Sequence, residues 1–238
     1  VASNQIGESL QTVLQSGTIE LKGQFMLGSN YTFWVSVKHE GGEVPAVYKP
    51  QKGEQPLWDF PENSLAGREV AAWMVSEALG WGIVPLTVLR EDGPYGPGSL
   101  QQFIEHDPEY HYFTFSEADR DRLRAVALFD HLTNNADRKG SHVLVEKGTG
   151  HLFAIDHGLC FNVEDKIRTV IWDFAGQPIP DDLLAALARF RGGTPAGLSE
   201  FLQPDEITAL EARAARLLAK RTYPPQPRGR RAFPYPPL

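Results

Sequence analysis

The chain has 238 residues and a net charge of −7, with 42% hydrophobic and 22% charged residues. That length buries a real core in one large domain or two small lobes, and the acidic balance argues against a general nucleic-acid or anionic-membrane binder. A lone cysteine, Cys160, excludes an internal disulfide and reads as a small buried hydrophobe in a reducing compartment.

No apolar run approaches the ~20 residues of a membrane span. The first residues, V-A-S-N-Q-I-G-E, have no basic-then-apolar leader. The expectation is a cytoplasmic protein with no membrane insertion and no nucleic-acid partner.

Residues 7–17 read as a short amphipathic helix stopped by Gly17. Residues 19–26, 31–38 and 44–49 read as three strands, joined at Leu27-Gly28-Ser29-Asn30 and His39-Glu40-Gly41-Gly42. In the first turn Gly28 lets backbone approach a ligand closely, while Ser29, Asn30 and Thr32 offer donors to phosphate oxygens. Such a turn is just as readily only a turn. Lys49 ends the third strand in A-V-Y-K-P.

Residues 64–79 read as a helix with Gly80 as its stop, and Val70, Trp73, Met74 and Ala78 form its apolar stripe. Glu69 borders that stripe and is placed to point inward; Arg68 is read as the more exposed neighbour, and Glu77 as a spare acid. Residues 83–90 and 99–105 read as two further strands across a Gly/Pro turn. Five strands and the helix over 64–79, behind the short leading helix, make an amino-terminal lobe over residues 1–105. Glu105-His106-Asp107-Pro108 leads out of it into a carboxy-terminal lobe over 106–238.

There, residues 116–132 read as a helix opened by a Ser116/Asp119 capping box. It delivers the chain to the stretch 130–158, which organises the site. A polar loop, 133–141, precedes two short apolar runs, 142–146 and 151–156, around Lys147-Gly148-Thr149-Gly150. That pattern reads as a β-hairpin. Asp137, His142 and Asp156 then crowd one edge of it, because facing residues of an antiparallel pair lie about 5 Å apart. A cluster of this kind suits a hard cation that shares its remaining positions with water and phosphate oxygens. Residues 159–180 are mostly irregular. Helices follow near 181–191 and 204–221, then a Pro-rich tail over about 222–238 with Arg228, Arg230 and Arg231, either an extended strap or disordered.

Asn135-Ala136-Asp137-Arg138 followed by Ile155-Asp156-His157-Gly158 resembles the catalytic and metal-binding loops of the atypical kinases. These form the phosphatidylinositol 3/4-kinase and HipA-like branch of the protein-kinase-like fold, whose loops read D-R-H-x-x-N and I-D-F-G. The resemblance covers roughly residues 18–165 and is nearest to a small bacterial PI3/4-kinase-like group. It implies an α+β, two-lobed fold: an antiparallel amino-terminal sheet with one helix, then a mainly helical lobe. It implies ATP with Mg²⁺ or Mn²⁺ and transfer of the γ-phosphate to a hydroxyl of a soluble polyol or inositol-type compound, or of a protein.

In that fold Lys49 meets the nucleotide phosphates, Glu69 fixes Lys49, and the backbone about Phe103, Ile104 and Glu105 meets adenine. Asp137 takes or orients the hydroxyl proton, Arg138 steadies the loop or a phosphate, and Asp156 holds the metal. Two departures stand out: His142 replaces the second metal-binding Asn, and Lys139 replaces the His. Imidazole favours Mn²⁺ over Mg²⁺.

A second reading is therefore a pseudokinase-like module that binds nucleotide without turnover. Lys166 and Arg168, beyond the metal loop, suit a soluble phosphorylated substrate. A zinc hydrolase built on His131, His142 and His157 lacks the close His spacing such sites use.

Overall fold

The computed structural model describes residues 10–25, 31–40 and 42–238. Five strands, β1 (Thr18–Gln24), β2 (Phe33–His39), β3 (Gly42–Pro50), β4 (Thr87–Arg90) and β5 (Gly98–Gln102), form one antiparallel sheet in the order β1-β2-β3-β5-β4. The first three lie side by side in chain order. A helical excursion then intervenes, and the β4–β5 hairpin returns β5 to the side of β3.

Alternation along the strands sorts the side chains by face. Phe33, Val35, Val37, Ala46, Tyr48 and Leu100 pack with Leu14, which lies on helix α1 over residues 10–16. Lys49 lies opposite Ser99, and Val47 opposite both Trp34 and Gln101, so these five share the other face.

Helix α2 (Leu65–Leu79) packs on that second face. The Glu54 carboxylate accepts from the first amides of α2, those of Leu65 (3.2 Å) and Ala66 (2.9 Å), which have no partner inside the helix. Gly80 stops it with φ 69°, a left-handed conformation that glycine adopts without strain. Ala71, Ala72, Val75 and Leu79 merge with the larger core of the second half of the chain, beside Val126, Phe129, Leu132 and Val143. The helix is therefore buried on two sides.

The expected strand over 83–90 begins only at Thr87. Pro85 has no amide for a ladder, and the amides of Ile83 and Val84 turn to Ser76 Oγ (3.0 and 3.3 Å). The strand expected over 99–105 ends at Gln102.

The second half contains α3 (Glu117–Asp121), α4 (Arg124–Thr133), the hairpin β6 (Val143–Val145) and β7 (Leu152–Ala154), α5 (Asp181–Leu187) and α6 (Pro204–Lys220). One helix was expected over 116–132; two are found. Ser116 Oγ caps the first by accepting from the Asp119 amide. Arg122 leaves the helix to reach Asp119 (2.6 Å) and the Gly150 carbonyl (2.6 Å), and the fully buried Leu123 starts the next.

The Pro/Arg-rich tail is a strap docked on the fold. Tyr223 Oη donates to the Arg124 carbonyl (2.9 Å), the Ala232 carbonyl accepts from the Thr169 amide (3.0 Å), and the Pro237 carbonyl accepts from the Gly140 amide (2.8 Å). A Cβ at position 140 would lie 2.7 Å from the Phe113 ring, so any larger residue there would have to displace that half-exposed side chain.

Candidate active site

Lys49 is the hub. From the end of β3 its ammonium donates to Glu69 Oε1 (2.6 Å) on α2 and to Asp156 Oδ1 (2.9 Å) past β7. Burial works against the charged ammonium, but Asp156 and Glu69 outweigh it and hold the lysine well above its usual pKa. Burial works against the Asp156 charge as well, but the Lys49 ammonium outweighs it and keeps the carboxylate ionised, far below its ordinary range. Glu69 uses its second oxygen to accept from the His157 amide (2.9 Å). One carboxylate thus ties sheet, helix and loop together.

Asp156 itself has φ 62°, a conformation few residues other than glycine, Asn and Asp hold cheaply. Of the two acids considered on α2, Glu69 faces this site and Glu77 faces solvent. Arg68, expected to be exposed, is 1% exposed and pairs with Glu206 on α6 (2.5 Å) while donating to the Cys160 carbonyl (2.6 Å).

The loop carrying Asp137 is built on Arg138. Its guanidinium is fully buried, grips Asp130 through Nε (3.1 Å) and Nη2 (3.0 Å), and donates to the carbonyls of His142 (3.1 Å) and Ile155 (2.6 Å). Of the two roles offered for Arg138, only steadying the loop is available; every donor direction is spent inside the protein and no phosphate reaches it. Asn134, with φ 58°, ends α4, and Asn135 Oδ1 accepts from the Asp137 amide (2.9 Å). The Asp137 carboxyl is mostly buried but still reaches solvent. Burial raises it to about 6, with the Asp156 charge adding to the rise and Lys139 (3.5 Å) and Arg168 opposing it.

His142 was expected to open the hairpin strand. It instead ends a 3-10 turn, Gly140–His142, and its carbonyl accepts from Ile155 (3.0 Å). Its Nε2 lies 3.2 Å from Asp156 Oδ2, and burial lowers the ring to about 4, so it is neutral at physiological pH. Among the described residues no three His, Cys, Asp or Glu side chains gather as a resident metal cage. The donor pair Asp156 and His142 fits a cation that arrives with the nucleotide and takes its other ligands from phosphate and water.

The three histidines of the zinc alternative do not converge. His157 accepts at Nε2 from Arg138 (2.8 Å) and packs edge-on against Phe129, while His131 packs against Trp172.

Gly28, Ser29 and Asn30 lie outside the described residues. Thr32 is half-buried, and its carbonyl accepts from the Phe25 amide (2.9 Å). Around the exit from β5, the Phe103 amide donates to Pro45 (3.3 Å), and the Ile104 carbonyl accepts from His106 Nδ1 (2.8 Å). The Glu105 carbonyl accepts from Lys147 (2.7 Å). Each carbonyl retains a second lone pair.

Lys166, expected to meet substrate, is committed elsewhere: it pairs with Asp59 (2.9 Å) beneath the Trp58 ring (4.6 Å). Arg168 remains half-buried near Asp137 and has no carboxylate partner among the described residues.

The sequence pattern of phosphatidylinositol 3- and 4-kinases matches residues 77–202, more than half of the chain and including both Asp137 and Asp156. Protein Rv2133c of Mycobacterium tuberculosis is 38% identical across 94% of each chain. This chain belongs to the phosphatidylinositol 3- and 4-kinase family. At greater distance, phosphatidylinositol 4-kinase gamma 5 of Arabidopsis thaliana is 24% identical over 87% of this chain and 39% of its own length.

Among solved structures, hydra Fam20 with sugar aligns with a TM-score of 0.56 at 13% identity, covering 92% of this chain and 90% of its own. The Helicobacter pylori proinflammatory kinase CtkA aligns at 0.52 and 14% identity, covering 88% and 94%. Both share the α+β protein-kinase-like fold: an antiparallel sheet followed by a largely helical region. Family membership implies a kinase that uses ATP; it leaves the phosphate acceptor open.

Proposed function

We propose that this family member moves the γ-phosphate of ATP to a hydroxyl of a soluble polyol or inositol-type compound, or of a protein. The reaction would lie in the cleft between residues 1–105 and 106–238. The observation that carries this reading is Lys49 bound at once to Glu69 and Asp156, in front of a carboxylate, Asp137, poised near 6. A fixed ammonium is what a migrating phosphoryl group needs, because its transition state is stabilised chiefly by positioned charge. A carboxylate of that pKa is ionised at neutral pH yet basic enough to take the hydroxyl proton.

Trp34 and Val47, on the cleft face of the sheet, and Phe103, 6.5 Å from Trp34, offer an apolar seat for adenine. Asp156 and His142 would hold the divalent cation, Mg²⁺ or Mn²⁺, that accompanies the nucleotide and offsets phosphate charge. Arg168, near Asp137 and without an ion pair among the described residues, favours an acceptor that itself carries negative charge.

Incubating the protein with γ-labelled ATP, both metals, a polyol panel and a protein extract tests this. Label should pass to an acceptor with the parent and not with Asp137→Asn. A parent that binds ATP tightly but transfers nothing would instead support the pseudokinase-like reading, which the His142 contact to Asp156 favours.

A further inference from the structure

Arg213 on α6 is buried, 3% exposed, and no carboxylate pairs with it among the described residues. Its Nε donates to the Leu132 carbonyl (2.7 Å) and Nη1 to the Asn162 carbonyl (3.1 Å), while Nη2 is buried without any partner. Buried guanidinium groups are normally paired and saturated, because desolvating an uncompensated charge is costly. The strain registers on the group itself, whose pKa burial lowers to about 10.

Arg213 lines a cavity of about 180 Å³, room for several waters. Arg216 and Lys220, one and two turns further along α6, and Arg230 from the strap bring three more cations to its walls. Asp165 is the single acidic residue of the lining. Its side chain is well exposed, and it is held by Arg216 (3.4 Å) and, through its carbonyl, by Arg230. His131, also in the wall, is neutral at physiological pH because burial lowers it to about 4. Four cations therefore face one carboxylate, in a chain whose net charge is −7.

We infer that this cavity between α6 and the strap is a second anion site, separate from the Lys49 cleft, that takes a phosphate group as inorganic phosphate or a phosphate monoester. Arginine forks match phosphate oxygens two at a time, and a dianion supplies the counter-charge that Arg213 lacks. The site also has a mechanical connection. Leu132 and Asn162, the two carbonyls held by Arg213, flank the segment that contains Asp137 and Asp156, so an anion there braces both ends of the candidate active site.

The test is titration of the full chain with inorganic phosphate, and separately with glycerol 3-phosphate. Binding is read by calorimetry and melting temperature against chloride at matched ionic strength. Four proteins are compared: the parent, Arg216→Gln/Lys220→Gln, Arg213→Lys, and Lys49→Ala. Arg216 and Lys220 are exposed, so their replacement spares the fold.

Saturable binding is expected in the parent and in Lys49→Ala. The double variant should bind about tenfold or more weakly, the usual loss for charge-assisted hydrogen bonds, and Arg213→Lys should weaken binding because one ammonium cannot hold both carbonyls and also keep a donor for the anion. No binding beyond chloride, equal affinity in the double variant, or loss of binding in Lys49→Ala would each overturn the assignment. The last would place the phosphate in the nucleotide cleft.

Discussion

Burial raises the Asp137 carboxyl to about 6, against about 3.9 in an unfolded chain. The folded state thus binds this proton more tightly than the unfolded state. Between pH ~4 and ~6 the group lowers stability as pH rises, and the deficit stays constant above that window. Asp137→Asn should remove the deficit. Because the side chain is still 29% exposed, the gain is discounted to about 1–2 kcal/mol at pH 7.5, vanishing near pH 4. Urea denaturation at the two pH values measures it, and the same variant should keep ATP binding while losing turnover.

His142 behaves differently from a free histidine. An exposed imidazole would lose metal affinity as pH falls through ~6.5; with burial holding this one at about 4, His142 should add no pH dependence between pH 6 and 8, so parent and His142→Asn should show the same pH profile of nucleotide affinity there. His142→Asn should still shift the metal preference from Mn²⁺ toward Mg²⁺. An unchanged Mn²⁺/Mg²⁺ ratio in that variant would remove His142 from the ligand set.

Among the elements, α2 shows most clearly what sequence patterning reaches and what it does not. Glu69 was legible as an inward-pointing acid because it borders a regular apolar stripe, and its pairing with Lys49 was what the family resemblance implied. Arg68 was not. A stripe reports one buried face, whereas α2 lies between the sheet and the larger core and buries both Arg68 and Glu69. The Asp137 and Asp156 loops were readable because their chemistry is local. The tail was legible only as far as two alternatives, an extended strap or disorder, and the Arg213 cavity was not legible, since Arg213 lies on a helix face that reads as solvated until distant residues 224–230 are known to lie beside it.

The Arg68–Glu206 pair gives a direct measurement at this scale. Replacing one partner alone, Arg68→Met or Glu206→Gln, strands a buried charge or its donors and should cost about 3–5 kcal/mol. Replacing both with apolar residues of similar size should recover most of that loss in a double-mutant cycle.

At the scale of the whole molecule, the candidate nucleotide site takes groups from β3, α2 and both loops, so occupancy should stabilise the fold as a unit. ATP with a divalent cation at ~100 times its dissociation constant should add about 2.7 kcal/mol, a rise of roughly 5–10 °C in melting temperature for a chain of this size. No rise at millimolar ATP with either metal would count against nucleotide binding altogether.

Helix α2 also has a consequence for control. It is riveted to the lower half by Arg68, Glu206 and the Cys160 carbonyl, and its alanines are part of that core. It has no hinge of its own. Swinging Glu69 away from Lys49 would mean opening the hydrophobic interior, so disarming the site and melting the protein become nearly the same event. Hydrogen exchange should show it: α2 amides should exchange only through global opening, as slowly without nucleotide as with it once the difference in overall stability is subtracted. On this wiring the Lys49–Glu69 contact forms as the protein folds, and no separate movement of α2 is needed to complete it.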